Sequence, residues 1–205
     1  MMTLQNSFFS SGNPIVADAS VIINLAATQM APKIIGLLPQ RLLVLEQVRS
    51  ELEEGRQKGR SGADGLNTLA RIDLVKVVPL DETMEEIFQG LTFGSTAETL
   101  DDGEAATIAY SICHEGTALI DERKALRIIG EKFPTLPALC TADVLFSKVV
   151  QDALGREELA QAVLNALRGA HMHIPPRYAE PVVSLIGSAN AAACKSLPRS
   201  FRNSA

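Results

Sequence analysis

The sequence has few cysteines, and the three that it has, Cys113, Cys140 and Cys194, lie far apart along the chain. No two of them stand at the spacing of metal ligands, which argues against a structural zinc site and fits a reducing compartment. Small thiols are often buried like apolar side chains. We therefore expect Cys113 and Cys140 to lie in the core.

Long apolar runs are absent as well, because every run is too short or too interrupted to cross a bilayer. The first residues, MMTLQNSFFSSGNP, have neither the basic nor the sustained apolar segment of a secretory signal. We therefore expect a cytoplasmic protein with no membrane partner. Since 46% of the 205 residues are hydrophobic, the chain can bury a full core, which favours one main domain with an appendage.

Positive charge is in short supply for a protein that would bind nucleic acid. The formal net charge is −5, from 19 Lys and Arg residues against 24 Asp and Glu residues. A negative overall field repels a phosphate backbone. This objection weakens if several acids surround bound cations, because a cation reverses the local field.

The sequence does contain a regular alternation of predicted strands and helices. Apolar runs predict strands over 14–18, 41–45, 74–80, 117–121 and 136–140. Helical patterns predict a helix over 21–30 with Ser20 as its N-cap, and others over 47–56, 63–71, 81–90, 101–115, 122–131, 143–154 and 157–167. Strands that are continuous apolar runs indicate a mostly parallel sheet, so we predict a three-layer α/β/α fold.

Three segments are predicted along the chain. Residues 1–12 form a polar leader, and residues 13–154 form the α/β domain. Residues 155–205 contain a last helix and then, from about residue 170, a proline-rich arm and a flexible tail.

Two of the predicted strands end in aspartate. Asp18 closes the first strand and Asp121 closes the fourth, and each is followed at once by a helix. In an open α/β sheet, ligands bind beyond the carboxyl ends of the strands, which makes both residues candidates for a site. The alternative for either residue is that it only caps the following helix.

Three further carboxylates are candidates. Glu104 shares a helix face with Ile108 and Ile112, so it heads a stripe that should pack on the sheet, where an unpaired charge is costly. Glu51 lies beside apolar positions of its helix, and Asp143 follows the last predicted strand. An ordinary first-turn, surface or capping acid is the alternative for each of them.

Five carboxylates from five segments suit a hard cation, because Mg²⁺ and Mn²⁺ take oxygen ligands and keep several waters. Such a cation polarises a phosphoryl oxygen and activates water, so phosphodiester hydrolysis is the predicted reaction. Arg49, Arg123 and Lys124 lie next to these acids, as does the basic cluster 56–60, and they are candidates for phosphate contacts. Solvated helix faces are the alternative.

Four short motifs resemble those of the PIN-domain nucleases. They are VADAS at 16–20 with Asn24, VRSEL at 48–52, GEAATIA at 103–109 and LIDERKA at 119–125. Each is weakly specific alone, but their order and spacing along one βαβα chain are more so. The resemblance spans about residues 14–150.

The resemblance implies a PIN-like parallel-sheet domain with a metal site. Its implied catalytic acids are Asp18, Glu51, Glu104, Asp121 and Asp143. Of these, Asp18, Glu104 and Asp121 would hold Mg²⁺ or Mn²⁺, with Ser20 and Asn24 supporting Asp18 and Thr141 as a further supporting residue.

The implied activity is metal-dependent endonucleolytic cleavage of single-stranded RNA. Many relatives are toxins of bacterial toxin–antitoxin pairs, which implies an antitoxin or regulatory protein and a second copy of the chain as partners. A PIN-like binding or regulatory module that no longer cuts RNA is the alternative. A haloacid-dehalogenase phosphatase is disfavoured, because it needs a second Asp two residues after the first, where this chain has Ser20.

Overall fold

Five parallel strands form the centre of the computed structural model, which describes residues 12–96 and 98–202. They are β1 (Ile15–Ala17), β2 (Leu42–Leu45), β3 (Val75–Val78), β4 (Thr117–Leu119) and β5 (Ala138–Leu139). Their order is β3-β2-β1-β4-β5, so β1 lies in the middle and Ile15 pairs with both Leu42 and Thr117. The prediction of a parallel sheet is confirmed.

Helices cover both faces of this sheet. They are α1 (Ala19–Ala27), α2 (Ala31–Ile35), α3 (Glu46–Gln57), α4 (Gly62–Arg71), α5 (Glu85–Thr92), α6 (Asp102–Cys113), α7 (Arg123–Lys132), α8 (Thr141–Leu145), α9 (Lys148–Gly169), α10 (Pro176–Ile186), α11 (Ser188–Ala193) and α12 (Arg199–Arg202). Successive side chains of a strand point to opposite faces. Accordingly, Leu119 packs in the larger core cluster, while Ala118 and Ile120 pack in the smaller one with α6 and α7. No helix of the described residues is long and apolar enough to cross a membrane.

Some local details differ from the sequence prediction. Asp18, not Ser20, is the N-cap of α1, because its carboxylate accepts a hydrogen bond from the Ser20 amide. The helix predicted from residue 81 begins only at Glu85, since Asp81 accepts from the Thr83 amide and turns the chain there. Cys140 is buried as expected, whereas Cys113 is only partly buried.

Most of residues 176–202 are helical, where the sequence predicted a proline-rich arm and a flexible tail. Tyr178, Val182 and Ile186 recur every four residues on α10, and all three are buried. Pro176 stands at the start of α10, where its missing N–H costs nothing, so proline was a poor guide here.

The predicted segment boundaries after residue 12 and after residue 154 stay predictions. Helix α9 runs through residue 154 and bends at Gly155, whose φ is 66°. Residues 1–11 of the predicted polar leader and residues 203–205 at the end of the predicted tail lie outside the described residues.

The packing of α10 generates a prediction about stability. Replacing Ile186, which is 6% exposed, by Ala is expected to lower the free energy of unfolding by about 2–5 kcal/mol, because it leaves a cavity. Ser184→Ala on the exposed side of α10 is the control, with an expected change within about 0.5 kcal/mol. Urea unfolding of the full chain measures both, and equal stabilities would contradict the packing of α10.

Candidate active site

A cleft of about 640 Å³ lies where the chain leaves the carboxyl end of β1. Five carboxylates are among its lining residues, which are Asp18, Ser20, Ile23, Glu51, Arg60, Thr96, Thr99, Leu100, Asp101, Glu104, Glu122 and Lys124. A second cavity, of about 750 Å³, lies among α1, α4 and α9, but it is lined mostly by small residues and by a single carboxylate, Asp64. The first cleft is therefore the candidate site.

Asp18 is buried at the end of β1, and its two oxygens have different environments. Oδ2 accepts hydrogen bonds from the Ser20 amide at 3.1 Å and from the Ser20 hydroxyl at 2.7 Å. Oδ1 is buried and has no hydrogen-bond partner among the described residues. Burial raises the pKa of Asp18 to about 6, against the opposing effect of the Ser20 hydrogen bonds. The free oxygen is thus available to a cation.

Glu51 of α3 and Asp18 both lie against Gly103 of α6, which has no side chain to separate them. A Cβ at Gly103 would lie 2.7 Å from Oε2 of Glu51 and 3.4 Å from Oδ1 of Asp18. Loss of hydration, followed by the charges of Asp18 and Asp101, raises the pKa of Glu51 to about 7. The glycine of the GEAATIA motif therefore makes room for two carboxylates to approach.

Glu104 lies in the first turn of α6 and is 6% exposed. It forms a capping box with Asp101: its amide donates to Asp101 Oδ1 at 2.9 Å, and its Oε2 accepts from the Asp101 amide at 3.3 Å. Burial, and then the charges of Asp101 and Asp18, raise the pKa of Glu104 to about 8. Glu104 therefore both caps α6 and belongs to the acid cluster.

Asp121 is buried next to Ser20 but is not among the residues that line the cleft, and three donors hold its carboxylate. Asn24 Nδ2 donates to its Oδ2 at 2.6 Å, the Thr141 amide donates to its Oδ1 at 2.7 Å, and the Thr141 hydroxyl donates to Oδ2. Asn24 therefore supports Asp121, whereas the resemblance implied that Asn24 supports Asp18. The Asp121 amide also donates to Ser20 Oγ at 3.4 Å, which links the ends of β1 and β4. Burial raises the pKa of Asp121, and the bonds from Thr141 and Asn24 oppose this.

Asp143 does not line the cleft. It is 2% exposed, and its carboxylate accepts from Arg177 Nη2 at 2.7 Å and from Tyr178 Oη at 2.8 Å. Both donors belong to α10, a helix that the sequence did not predict. The structure thus brings Asp18, Glu51 and Glu104 together, sets Asp121 beside them, and directs Asp143 towards the C-terminal helices.

Only some of the basic residues that were candidates for phosphate contacts line the cleft. Lys124 lines the cleft and donates to the Thr96 carbonyl at 2.6 Å, whereas Arg49 is exposed, pairs with Glu46 and does not line it. Arg123 is outside the lining too. Arg60, from the loop between α3 and α4, lines the cleft and lowers the pKa of Glu51 by its charge. The only signal for Arg60 in the sequence was its place in a basic, glycine-containing loop.

The acids fit a partly hydrated divalent cation better than an enclosed one. Within residues 12–96 and 98–202, no three His, Cys, Asp or Glu side chains are close enough to enclose a metal ion. Mg²⁺ keeps several waters and is usually bound through one or two carboxylates, so such a cage is not required. The unpartnered Oδ1 of Asp18, close to Glu51, is the donor that this binding mode needs.

The raised pKa values of the cleft acids generate a prediction about pH. A carboxyl whose pKa is higher in the folded than in the unfolded chain penalises folding once it ionises. Its contribution to the free energy of unfolding therefore falls as the pH rises from about 4 to about 8. Glu104→Gln removes one such carboxyl and keeps the capping box. In EDTA, we expect the Tm of this variant to rise relative to that of the wild type as the pH rises. The shift is about 2–4 °C for each kcal/mol of difference in the free energy of unfolding.

Thermal unfolding in EDTA from about pH 4 to about pH 8 measures this difference. Glu86→Gln, an exposed acid on α5, is the control and should keep a constant offset from the wild type. A constant offset for Glu104→Gln as well would contradict the raised pKa.

The comparison with known proteins agrees with the fold. The sequence model of a family described as a PIN domain matches residues 14–188, which include the cleft acids and α10. Searches of curated proteins and of solved structures found no match. Because the family match covers most of the chain, the prediction from the four motifs is confirmed: the protein belongs to the PIN-domain family, whose fold is of the nuclease type.

Proposed function

We propose that the protein is a Mg²⁺- or Mn²⁺-dependent endoribonuclease that hydrolyses single-stranded RNA. The observation that carries the proposal is the unpartnered, buried Oδ1 of Asp18, which lies with Glu51 beside Gly103 in an acid-lined cleft of a PIN domain. A buried carboxylate oxygen without a donor is costly unless a proton or a cation neutralises it. The choice of RNA as substrate rests on the resemblance to PIN-domain nucleases.

In this proposal, Asp18 would hold the cation through Oδ1, and Glu51, Glu104 and Asp121 would act on it through the waters that a divalent cation keeps. A bound divalent cation supplies an activated water and polarises a phosphoryl oxygen. Ser20 leaves Asp18 Oδ1 free by donating only to Oδ2, and Asn24 and Thr141 hold the Asp121 carboxylate in one orientation. With an activated water, no side chain is required as the nucleophile.

Arg60 and Lys124 are the proposed contacts for the phosphate backbone. Both line the cleft together with the acids, although they come from different parts of the chain. The adjoining cavity along α3, of about 720 Å³, is lined by Glu46, Glu51, Glu54, Asp101 and Asp102 without any basic residue. Its charge repels phosphates, so the strand would pass by Arg60 and Lys124 instead.

RNA cleavage tests the reaction. We expect a labelled single-stranded RNA to be cut with Mn²⁺ or Mg²⁺ and to stay intact in EDTA. Asp18→Asn should lower the rate by at least about 100-fold, since even residues outside the metal ligands typically change activity by 10–100-fold. Asn still caps a helix well, so α1 should be retained.

Glu86→Gln is the matched control and should cut RNA like the wild type. Cleavage in EDTA, or full activity of Asp18→Asn, would contradict the proposal. An intact RNA in every sample, together with no Mn²⁺ binding, would favour the alternative of a PIN-like binding module.

The contribution of Arg60 can be tested separately. Arg60→Gln should weaken binding of a single-stranded RNA and reduce the slope of log affinity against log salt by about 0.7, the value for one lost phosphate contact. Fluorescence anisotropy in EDTA over a salt series measures both without cleavage. Arg71→Gln, at an exposed position of α4 outside the cleft, is the control. An unchanged slope for Arg60→Gln would contradict its assignment.

A further inference from the structure

The carboxylate of Asp143 joins the C-terminal helices to the turn that precedes α8. Its Oδ1 accepts from Tyr178 Oη, and its Oδ2 accepts from Arg177 Nη2, from the Cys140 amide at 2.8 Å and from the Cys140 thiol at 3.0 Å. Arg177 and Tyr178 lie in the first turn of α10. Asp143 therefore fixes the position of Cys140 relative to α10.

Thr141, the residue after Cys140, is one of the two residues that orient Asp121. Its amide donates to Asp121 Oδ1 at 2.7 Å, and its hydroxyl donates to Oδ2. A displacement of the Cys140 backbone would move the Thr141 amide with it, since the two share a planar peptide bond. The contacts thus run without a break from Arg177 through Asp143 and the Cys140–Thr141 turn to Asp121.

Asp143 is poorly suited to bind a cation itself. A carboxylate has about four acceptor sites, and four donors already point at this one. One of these donors, Arg177, is positively charged and lies 2.7 Å away, so a cation at Asp143 would be repelled.

We propose that Arg177 and Tyr178 are positioning residues for the cleft: by holding Asp143, they fix the Cys140–Thr141 turn and thereby the orientation of Asp121. The proposal rests on the proposed function in that Asp121 serves a bound divalent cation. It assigns α10 to the functional domain and gives Asp143 a role that differs from the catalytic role that the resemblance implied.

The test is the Mn²⁺ affinity of the full chain, measured by calorimetric titration. We expect Arg177→Met, Tyr178→Phe and Asp143→Asn each to weaken Mn²⁺ binding by about 3- to 10-fold. This is less than the 10–100-fold found when a direct partner of a metal ligand is lost, since these residues act one step further away. RNA cleavage should show a lower kcat with little change in KM, and Arg177→Lys, which keeps the charge, should restore part of both.

Ile186→Ala is the matched control. It destabilises the same helix but touches none of the hydrogen bonds to Asp143, so its Mn²⁺ affinity should equal that of the wild type. If Ile186→Ala weakened Mn²⁺ binding as much as Arg177→Met does, general stability and not positioning would explain the effect, and the proposal would be overturned.

A second measurement does not depend on the metal. Hydrogen exchange of the Thr141 amide, followed by NMR in EDTA, should be faster in Arg177→Met and Tyr178→Phe than in Ile186→Ala. If the wild type bound no Mn²⁺, the proposed function would fail, and this exchange rate would still decide the positioning role.

Two outcomes would contradict the positioning role. If Asp143→Asn weakened Mn²⁺ binding while Arg177→Met left it unchanged or strengthened it, Asp143 would be a ligand and the positioning role would be wrong. Wild-type Thr141 exchange in Arg177→Met would overturn it as well.

Discussion

The crowding of carboxylates at the carboxyl end of β1 is the constraint on which the rest of this structure depends. Asp18 is buried there with one oxygen unpartnered, and Glu51, Asp101 and Glu104 all act on it or on one another electrostatically. Burial disfavours the charged forms of Asp18, Glu51 and Glu104, and the pKa values of these three carboxyls rise accordingly. Only a proton or a cation relieves this cost. The surrounding helices begin at this edge and support the cluster without neutralising it.

The same carboxylates that crowd the cleft also build its framework. Asp18 caps α1 through Oδ2 and keeps Oδ1 for the cleft, while Asp101 and Glu104 cap α6 reciprocally. Helix N-termini carry partial positive charge, which partly compensates the acids placed there. Capping and ligand binding, which look like alternatives along the sequence, are therefore two uses of different oxygens and different lone pairs in the same residues.

The acidic overall charge and the proposed substrate are compatible because charge is distributed unevenly around the cleft. Arg60 and Lys124 line the part that contains Asp18, whereas the groove along α3 is lined by acids without any basic residue. A phosphate backbone responds to this local field and to any bound cation more than to the net charge of −5. A formal count of charges cannot express such an arrangement.

The sequence by itself determined the α/β alternation, the parallel sheet and the family, because buried parallel strands are continuous apolar runs and each strand-end acid keeps its place in the chain order. Only the tertiary structure decided the partners of the site residues. Asn24 donates to Asp121, which lies 97 positions away, and Arg177 binds Asp143 across 34 positions. It also decided that α10 packs on the domain through Val182 and Ile186. Local periodicity specifies which face of an element is apolar, but the identity of a hydrogen-bond partner depends on where distant elements meet, and no short pattern records that.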